Sequence, residues 1–391
     1  MRILYASERP PYPFFLGGAA RCAHRILHAL ARELGAECLA VGSSDYDVTP
    51  WSYPVVEEYA PLAIRSATRS GSRGSIDCGY ECRVFPDFTA ELARLIDSYK
   101  PDVVWAQLEG AKFVLELARR RNIQGLFFVH DAEGDPTELR QIAELDCHLV
   151  CSSGFLAKKV ARATGRRTHV VYPCPETSWG VEGDSRGFVT MINPHRVKGV
   201  ETFLEIAQRL PSEKFLLVES WKLSDEALTE LGTALDRVPN VRFEHRVSDM
   251  RQIYAQTALL LVPSVWEEGF GMVAVEAQSC RIPVIASRRG GLPESVGKGG
   301  ILIKNHLDVE SWIAGIRSLL TDSGKYAAFA TLAARHAAIE AFTASCSARR
   351  FYAVCSGKSG ALGALSRGMR AIVEGLDAVP GVRRVRRQFV R

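Results

Sequence analysis

The strongest constraint on the fold is a rhythm: short apolar runs recur along all 391 residues, separated by segments of helical spacing. MRILYAS, CLAVGS, DVVWAQ, GLFFVHD, CHLVCSS and THVVYPC mark the first half, and FVTMIN, KFLLVES, VRFEH, ALLLVPS, IPVIAS and GILIK mark the second. Between the first two runs, Ala23, Ile26, Leu27, Leu30, Ala31 and Leu34 recur at the three-and-four step that lines one face of a helix. Strands that are almost continuously apolar, alternating with helices, must be covered on both faces. The pattern therefore predicts parallel sheets flanked by helices.

A chain of this length is long for one globular unit, and two domains of comparable size are expected. The stretch PETSWGVEGDSRG, residues 175 to 187, is polar and glycine-rich with no apolar period, and reads as the linker. Residues 1–175 then form one doubly wound α/β domain and 187–341 a second. Residues 50 to 85, including SATRSGSRGS, are poor in apolar residues and read as a loop between better-defined elements. The two halves share an architecture but no sequence repeat.

Hydrophobic residues make up 47% and charged ones 24%, a composition that excludes a disordered chain. The net charge of +5 is unevenly placed: residues 356–391 hold eight Lys/Arg against two Asp/Glu, so the other 355 residues sum to −1. No nucleic-acid partner is expected. The basic tail is either a solvated terminal helix or a weak contact with acidic lipid headgroups. Ten cysteines are scattered without zinc spacing, as in a reduced, cytoplasmic protein. No run approaches the roughly 18 apolar residues of a membrane span, so the expected location is cytoplasmic, with the inner membrane face reached only through the tail. A DxD in SDYDV, residues 44 to 48, stands alone in a polar loop and no metal is assigned to it.

The chemistry concentrates in EEGFGMVAVEA, residues 267 to 277. ALLLVPS reads as a buried strand, VWEEGFG as a turn and MVAVEAQSC as the next helix. Ligands of open parallel sheets collect where a strand ends and the following helix begins. Gly269 and Gly271 allow close approach of the backbone, and the N–H groups of Phe270, Gly271 and Met272 lie at the positive end of the helix dipole, where a phosphate is stabilised. Glu268 lies on the loop side and Glu276 farther into the helix. Carboxylates accept paired hydrogen bonds from vicinal diols, so an anion between two acids describes a ligand with hydroxyls at both ends. A nucleotide sugar is such a ligand.

These residues resemble the retaining nucleotide-sugar glycosyltransferases of family 4. The signature of that family, a Glu, seven residues and a second Glu, is matched by Glu268 and Glu276, and its GGxPE loop by GGLPE at 290 to 294. The resemblance implies the GT-B fold, an α/β architecture of two facing Rossmann-like domains with mostly parallel sheets and an interdomain cleft. It also implies that 342–355, FTASCSARRFYAVC, is the helix that crosses back to the N-terminal domain. By the same resemblance Glu268 binds the donor sugar, Glu276 binds the ribose, and Phe270, Gly271 and Met272 offer backbone contacts to sugar and phosphate.

In NPHRVKG, residues 193 to 199, Lys198 matches the family's phosphate-binding lysine. Asn193 stands where the family commonly has an arginine, and Arg196 is the candidate to take over that role. GGAAR after the first strand matches the glycine loop that approaches the donor phosphate, which makes Gly17 and Gly18 candidates. His130, at the end of FFVHD, matches a His near the reacting sugar carbon, with Asp131 beside it. Arg246 and Val247 fall where the family contacts the base.

The expected activity is transfer of a hexosyl unit from a nucleotide diphosphate sugar, UDP-sugar favoured, to a hydroxyl or amine, with retention of anomeric configuration. The nucleotide sugar is a co-substrate, no further cofactor is required, and the acceptor is a small molecule, a glycan or a lipid-linked molecule. The alternative is a nucleotide-sugar epimerase or a non-catalytic sugar-nucleotide binder on the same fold. A hydrolase carboxylate pair has no use for the glycine turn or for NPHRVKG. Nicotinamide chemistry is disfavoured because the first strand is not followed by GxGxxG.

Overall fold

The computed structural model describes residues 1–15, 17–46, 74–247 and 249–358, with residues 74–76 described by their backbone alone. Asp47 of the DxD, most of SATRSGSRGS and the basic tail beyond Lys358 lie outside the described residues. The described residues divide into two units: Met1–Cys174 with residues 341–358, and Pro175–Glu340.

The first unit contains strands β1 (Arg2–Ser7), β2 (Glu37–Ser43), β3 (Gly74–Asp77), β4 (Glu81–Phe85), β5 (Val103–Gln107), β6 (Gln124–Val129), β7 (His148–Cys151) and β8 (Thr168–Val170). They form one sheet in the order β3-β4-β2-β1-β5-β6-β7-β8. Every pairing is parallel except β3 with β4. Along β1 successive side chains serve opposite faces: Ile3 and Tyr5 enter one core, Leu4 and Ala6 the other. This is why the strand is apolar throughout.

The second unit repeats the plan with β9 (Phe188–Ile192), β10 (Phe215–Val218), β11 (Val241–Glu244), β12 (Thr257–Val262), β13 (Val284–Ser287) and β14 (Gly300–Ile303). The order is β11-β10-β9-β12-β13-β14, all parallel. Each unit is thus a Rossmann-like parallel sheet clothed by helices. Both sheets reverse their winding beside their first strand, between β1 and β5 and between β9 and β12. Loops at such reversals diverge at the carboxyl edge and leave a crevice.

Two sequence expectations are corrected here. The stretch read as a loop contains a hairpin, β3 and β4, joined through Gly79 at φ +82°. ECRVF carries Glu81 and Arg83 on one face and Cys82 and Val84 on the other, which conceals the strand from a search for continuous apolar runs. Residues 175 to 187, read as a free linker, pack on the second unit. Gly183 N–H donates to the Cys280 carbonyl at 2.9 Å, and Trp179 and Val181 lie against a core of that unit. Glycine is there for close approach: a Cβ on Gly187 would lie 2.1 Å from the Gln256 carbonyl oxygen.

The last described helix, Ala344–Cys355, belongs to the first unit. Thr343 caps it by accepting from Cys346 N–H, and Ala348, Phe351 and Val354 enter the core formed by Ile26 and Leu30 of the helix Gly18–Leu34. Phe351 lies 4.5 Å from Trp105 between ring centroids, and Ser347 Oγ donates to the Tyr172 carbonyl at 2.8 Å. Among the described residues no helix is long and apolar enough to cross a membrane.

Close approach at the carboxyl edge of the second sheet gives a stability prediction. Gly199 (φ +86°) and Gly290 (φ +57°) would place a Cβ 2.0 Å from the Pro263 carbonyl oxygen and 2.2 Å from the Glu268 carbonyl oxygen, whereas Gly35 (φ +63°) has open space. Gly35→Ala should cost only the left-handed strain of roughly 1–2 kcal/mol. Gly199→Ala and Gly290→Ala should each cost more than about 3 kcal/mol or prevent folding of the unit. Urea unfolding midpoints compare the three directly.

Candidate functional site

Three loops of the second unit meet at the carboxyl edge of its sheet. The first follows β9: Asn193 turns the chain in the left-handed region at φ +71°, which asparagine tolerates better than most residues. A short 3-10 turn, Arg196–Lys198, follows, and Gly199 caps it. The second follows β12, where Pro263 and Ser264 lead into Trp266, Glu268 and the helix Met272–Ser279. Val265 N–H and Trp266 N–H both donate to the Val197 carbonyl, at 2.9 and 3.2 Å, and tie these two loops together. The third is the glycine pair before the helix Leu292–Val296. Gly291 N–H donates to the Glu268 carbonyl at 2.7 Å, so GGLPE serves as a backbone brace under the acidic turn.

This brace presents Glu268, only 7% exposed, to Lys198. The Lys198 ammonium donates to both carboxylate oxygens, at 2.8 and 3.0 Å, and Ser264 Oγ donates to Oε1 at 2.6 Å. Burial by itself raises the Glu268 carboxyl, but the Lys198 charge and the hydrogen bonds from Lys198 and Ser264 outweigh it. The group is held below the ordinary carboxylate range. Glu268 is therefore an anion that accepts hydrogen bonds rather than a poised acid.

The adjoining helix begins without a side-chain cap and without an acid in its first turn. Its N-cap, Gly271, has φ +89°, and a Cβ there would lie 2.6 Å from Leu292. The uncapped first turn at Met272 and Val273, close to the half-buried Lys198, makes a place suited to a diphosphate. Glu276 lies on this same helix, half-buried, and accepts from Tyr254 Oη at 3.0 Å. Tyr254 in turn packs on Trp179, with ring centroids 5.4 Å apart. Among the described residues no group of three or more His, Cys, Asp or Glu side chains could hold a metal ion.

Of the residues singled out in the sequence, the structure brings together Lys198, Glu268, Phe270, Gly271 and Met272, with Glu276 farther along the helix. Arg196 is not in this group: its side chain is largely exposed and pairs with Glu201 at 2.8 Å. Asn193 holds no charge in reserve, because its Oδ1 accepts the Trp221 backbone N–H at 3.2 Å. Arg246 and Val247 follow β11, both half-buried, and Val247 lies against the core beneath Glu276's helix.

Gly17, Gly18 and His130 lie in the first unit. Gly17 caps the helix Gly18–Leu34 without a side-chain bond, and Gly18 is exposed. The His130 ring stacks on Phe128 at 4.4 Å, and its Nε2 meets Gln107 Oε1 at 2.8 Å. The Gln107 amide donates to Tyr5 Oη at 3.0 Å and to the Ala19 carbonyl at 3.4 Å, so its oxygen faces His130 and receives the Nε2 proton. Burial pushes the His130 imidazole down to about 4, which keeps it neutral near pH 7.

Sequence reasoning missed Gln107, Ser264, Trp221, Trp266 and Tyr254. Ser264 stands in the quoted ALLLVPS and Trp266 in VWEEGFG, and their proximity to the acid was the available signal. Trp221 follows β10 and Tyr254 ends the helix Arg251–Tyr254, and only the strand order brings them near.

Residues 185–322 match the family described as "Glycosyl transferases group 1". The D-inositol 3-phosphate glycosyltransferase of Rhodococcus jostii is 40% identical over 116 residues, 29% of this chain and 25% of that protein. The enzyme of the same name from Mycobacteroides abscessus is 35% identical over 173 residues, 41% of this chain and 37% of its own length. The aligned part thus spans well under half of these relatives. Among solved structures, Anabaena HepE in complex with UDP superposes with a TM-score of 0.72 at 19% identity, covering 91% of this chain and all of that one. Sucrose-phosphate synthase of Thermosynechococcus elongatus gives 0.68 at 17% identity, covering 95% and 99%. The fold, two Rossmann-like units, is that of the GT-B proteins.

Two predictions come from the titrating groups. Lys198→Met leaves the Glu268 carboxylate buried without its cation and should cost about 3–5 kcal/mol near pH 7. The wild-type Glu268 contribution is present above its ordinary value of 4.5 and lost as pH falls through the lowered folded value. In the variant that slope should reverse, with stability rising as pH falls, which denaturant unfolding between pH 4 and 8 can read. His130 should titrate by NMR near 4; its contribution is full above 6.5 and lost as pH falls from there. An imidazole midpoint near 6.5 would contradict the packed ring.

Proposed function

We propose that this chain is a retaining glycosyltransferase that moves a hexosyl unit from a nucleotide diphosphate sugar to a hydroxyl or amine acceptor. The observation that carries the reading is the buried pair Lys198–Glu268 set against the uncapped start of the helix Met272–Ser279, at the reversal of a parallel sheet. The names of the relatives support glycosyl transfer, and HepE, whose fold this chain shares, has been solved with UDP-glucose, which supports UDP as the nucleotide.

On this reading the diphosphate receives the N–H groups of Phe270, Gly271 and Met272 together with the Lys198 ammonium. Glu268 accepts hydroxyls of the sugar, and Glu276, oriented by Tyr254, accepts the ribose diol. Arg246 and Val247 flank the base, and the exposed Arg196 adds long-range positive charge. By the resemblance, Gly17 and Gly18 are assigned to the donor phosphate and the neutral His130 to the reacting sugar carbon. The bond from the anomeric carbon to the phosphate oxygen breaks as the acceptor oxygen bonds to that carbon on the same face, and the departing phosphate oxygen takes the acceptor's proton. Charge accumulates on the leaving diphosphate, where Lys198 and the helix start stabilise it without reorganising. No further cofactor is needed in this scheme. The acceptor class, whether a small molecule, a glycan or a lipid-linked molecule, is the part that rests on the first unit.

Calorimetric titration with a panel of UDP-, GDP- and dTDP-sugars should give binding to UDP-sugars first. Glu268→Ala should lower transfer roughly 100-fold while changing UDP affinity less. Glu276→Ala should instead weaken UDP binding about tenfold or more, as expected for losing hydrogen bonds to a charged acceptor. Product NMR should show the donor's anomeric configuration kept. An epimerised donor, or tight binding with no product across a broad acceptor panel, would replace this reading with an epimerase or a silent binder.

A further inference from the structure

Lys198 touches more than Glu268. Its ammonium lies 4.7 Å from the ring centroid of Trp221 and 4.2 Å from that of Trp266. The two indoles are 5.8 Å apart and cross at 76°, so they form two walls of a corner whose third side is the carboxylate. Each wall is tied to the loop that carries Lys198. Trp221 follows β10, with its backbone N–H on Asn193 and its ring edge-on to His195 at 5.4 Å. Trp266 follows β12, with its backbone N–H on Val197. Three loops therefore converge on one ammonium, whose side chain is only 14% accessible.

We infer that Trp221 and Trp266 are positioning residues that hold Lys198 in place for a diphosphate. The inference rests on the reading of this pair as part of a nucleotide-sugar site. A lysine held by a carboxylate alone is poorly prepared for an anion, because the incoming phosphates compete with that carboxylate and repel it. Indole faces attract a cation through their quadrupole while carrying no net charge. They keep the ammonium in position while Glu268 turns from the lysine to sugar hydroxyls. They also fix a flexible four-carbon stem before the ligand arrives, which lowers the ordering cost of binding.

The test uses the full chain with Trp221→Leu, Trp266→Leu and the corresponding Phe variants. In ligand-free protein, trace acetylation read by peptide mass spectrometry should find wild-type Lys198 at least about tenfold less reactive than the exposed Lys158. Reactivity should rise several-fold in the Leu variants and stay near wild type in the Phe variants, which keep a ring face. By calorimetry with UDP, the Leu variants should bind about tenfold more weakly, a difference of about 1.4 kcal/mol, and the Phe variants should recover most of it. Should a Leu variant not fold, replacing tryptophan by 5,7-difluorotryptophan keeps the shape and weakens the ring face, and should shift both readouts the same way. Unchanged Lys198 reactivity in folded Leu or fluorinated protein overturns the inference, whether or not UDP binds. Raised reactivity with unchanged UDP affinity also overturns it, leaving the rings a structural role. A wild-type protein that binds no nucleoside diphosphate removes the functional reading, and with it the purpose assigned to the indoles, while the labelling result still decides whether they hold Lys198.

Discussion

A carboxylate almost wholly removed from water survives as an anion only if other groups replace its solvation. For Glu268 those groups are the Lys198 ammonium and the Ser264 hydroxyl, and each comes from a different part of the chain's course. Much of the second unit's carboxyl edge is organised to meet this condition. The loop after β9 supplies the lysine, the end of β12 supplies the serine, and the glycine pair after β13 holds the peptide of the acid itself. Ser287, at the end of β13, donates to the Ser264 carbonyl at 2.8 Å and so fixes the serine's own backbone. Loss of any one of these contacts leaves a polar group stranded in a nonpolar setting, so the loops are mutually dependent.

The same arrangement explains the distribution of residue types. Strands β9 and β12 give both faces to cores, and little on them is free for chemistry. Polar side chains are displaced to the strand ends, where the reversal of winding separates the loops. The first unit follows the same rule on a different set of residues: Gln107 ends β5, His130 follows β6, and the two are hydrogen-bonded across the strand tips. One architecture thus carries a charged cluster in one unit and a neutral polar network in the other.

The sequence makes the parallel sheets, the two-unit organisation and the acidic turn legible, because each follows from local pattern: continuous apolar runs, helical spacing, glycine before a helix. What it concealed depends on distance through space. GG in GGLPE reads from sequence only as a match to the family's GGxPE loop, and the structure adds that Gly290 and Gly291 are small because they lie on the backbone of residues 267 to 270. Trp221 lies 47 positions before Glu268, and no spacing rule joins them. ECRVF hid a strand because its alternation is that of a sheet near its edge, and 175 to 187 hid a packed segment because glycine there reflects close approach rather than freedom. Arg196 is the sequence candidate for the family's absent arginine, yet in the 3-10 turn it pairs with Glu201 while Lys198 pairs with Glu268.

The return of Ala344–Cys355 to the first unit has a bearing on how the chain is made. Phe351 and Val354 are integral to the hydrophobic interior that includes Ile26, Leu30 and Trp105, so this interior stays incomplete on the ribosome until the C-terminal helix has emerged. The described residues of the second unit end earlier, at Glu340. Among the described residues the first unit is therefore completed after the second, and a nascent chain stalled near Glu340 would expose apolar side chains of the first unit to the surrounding solution.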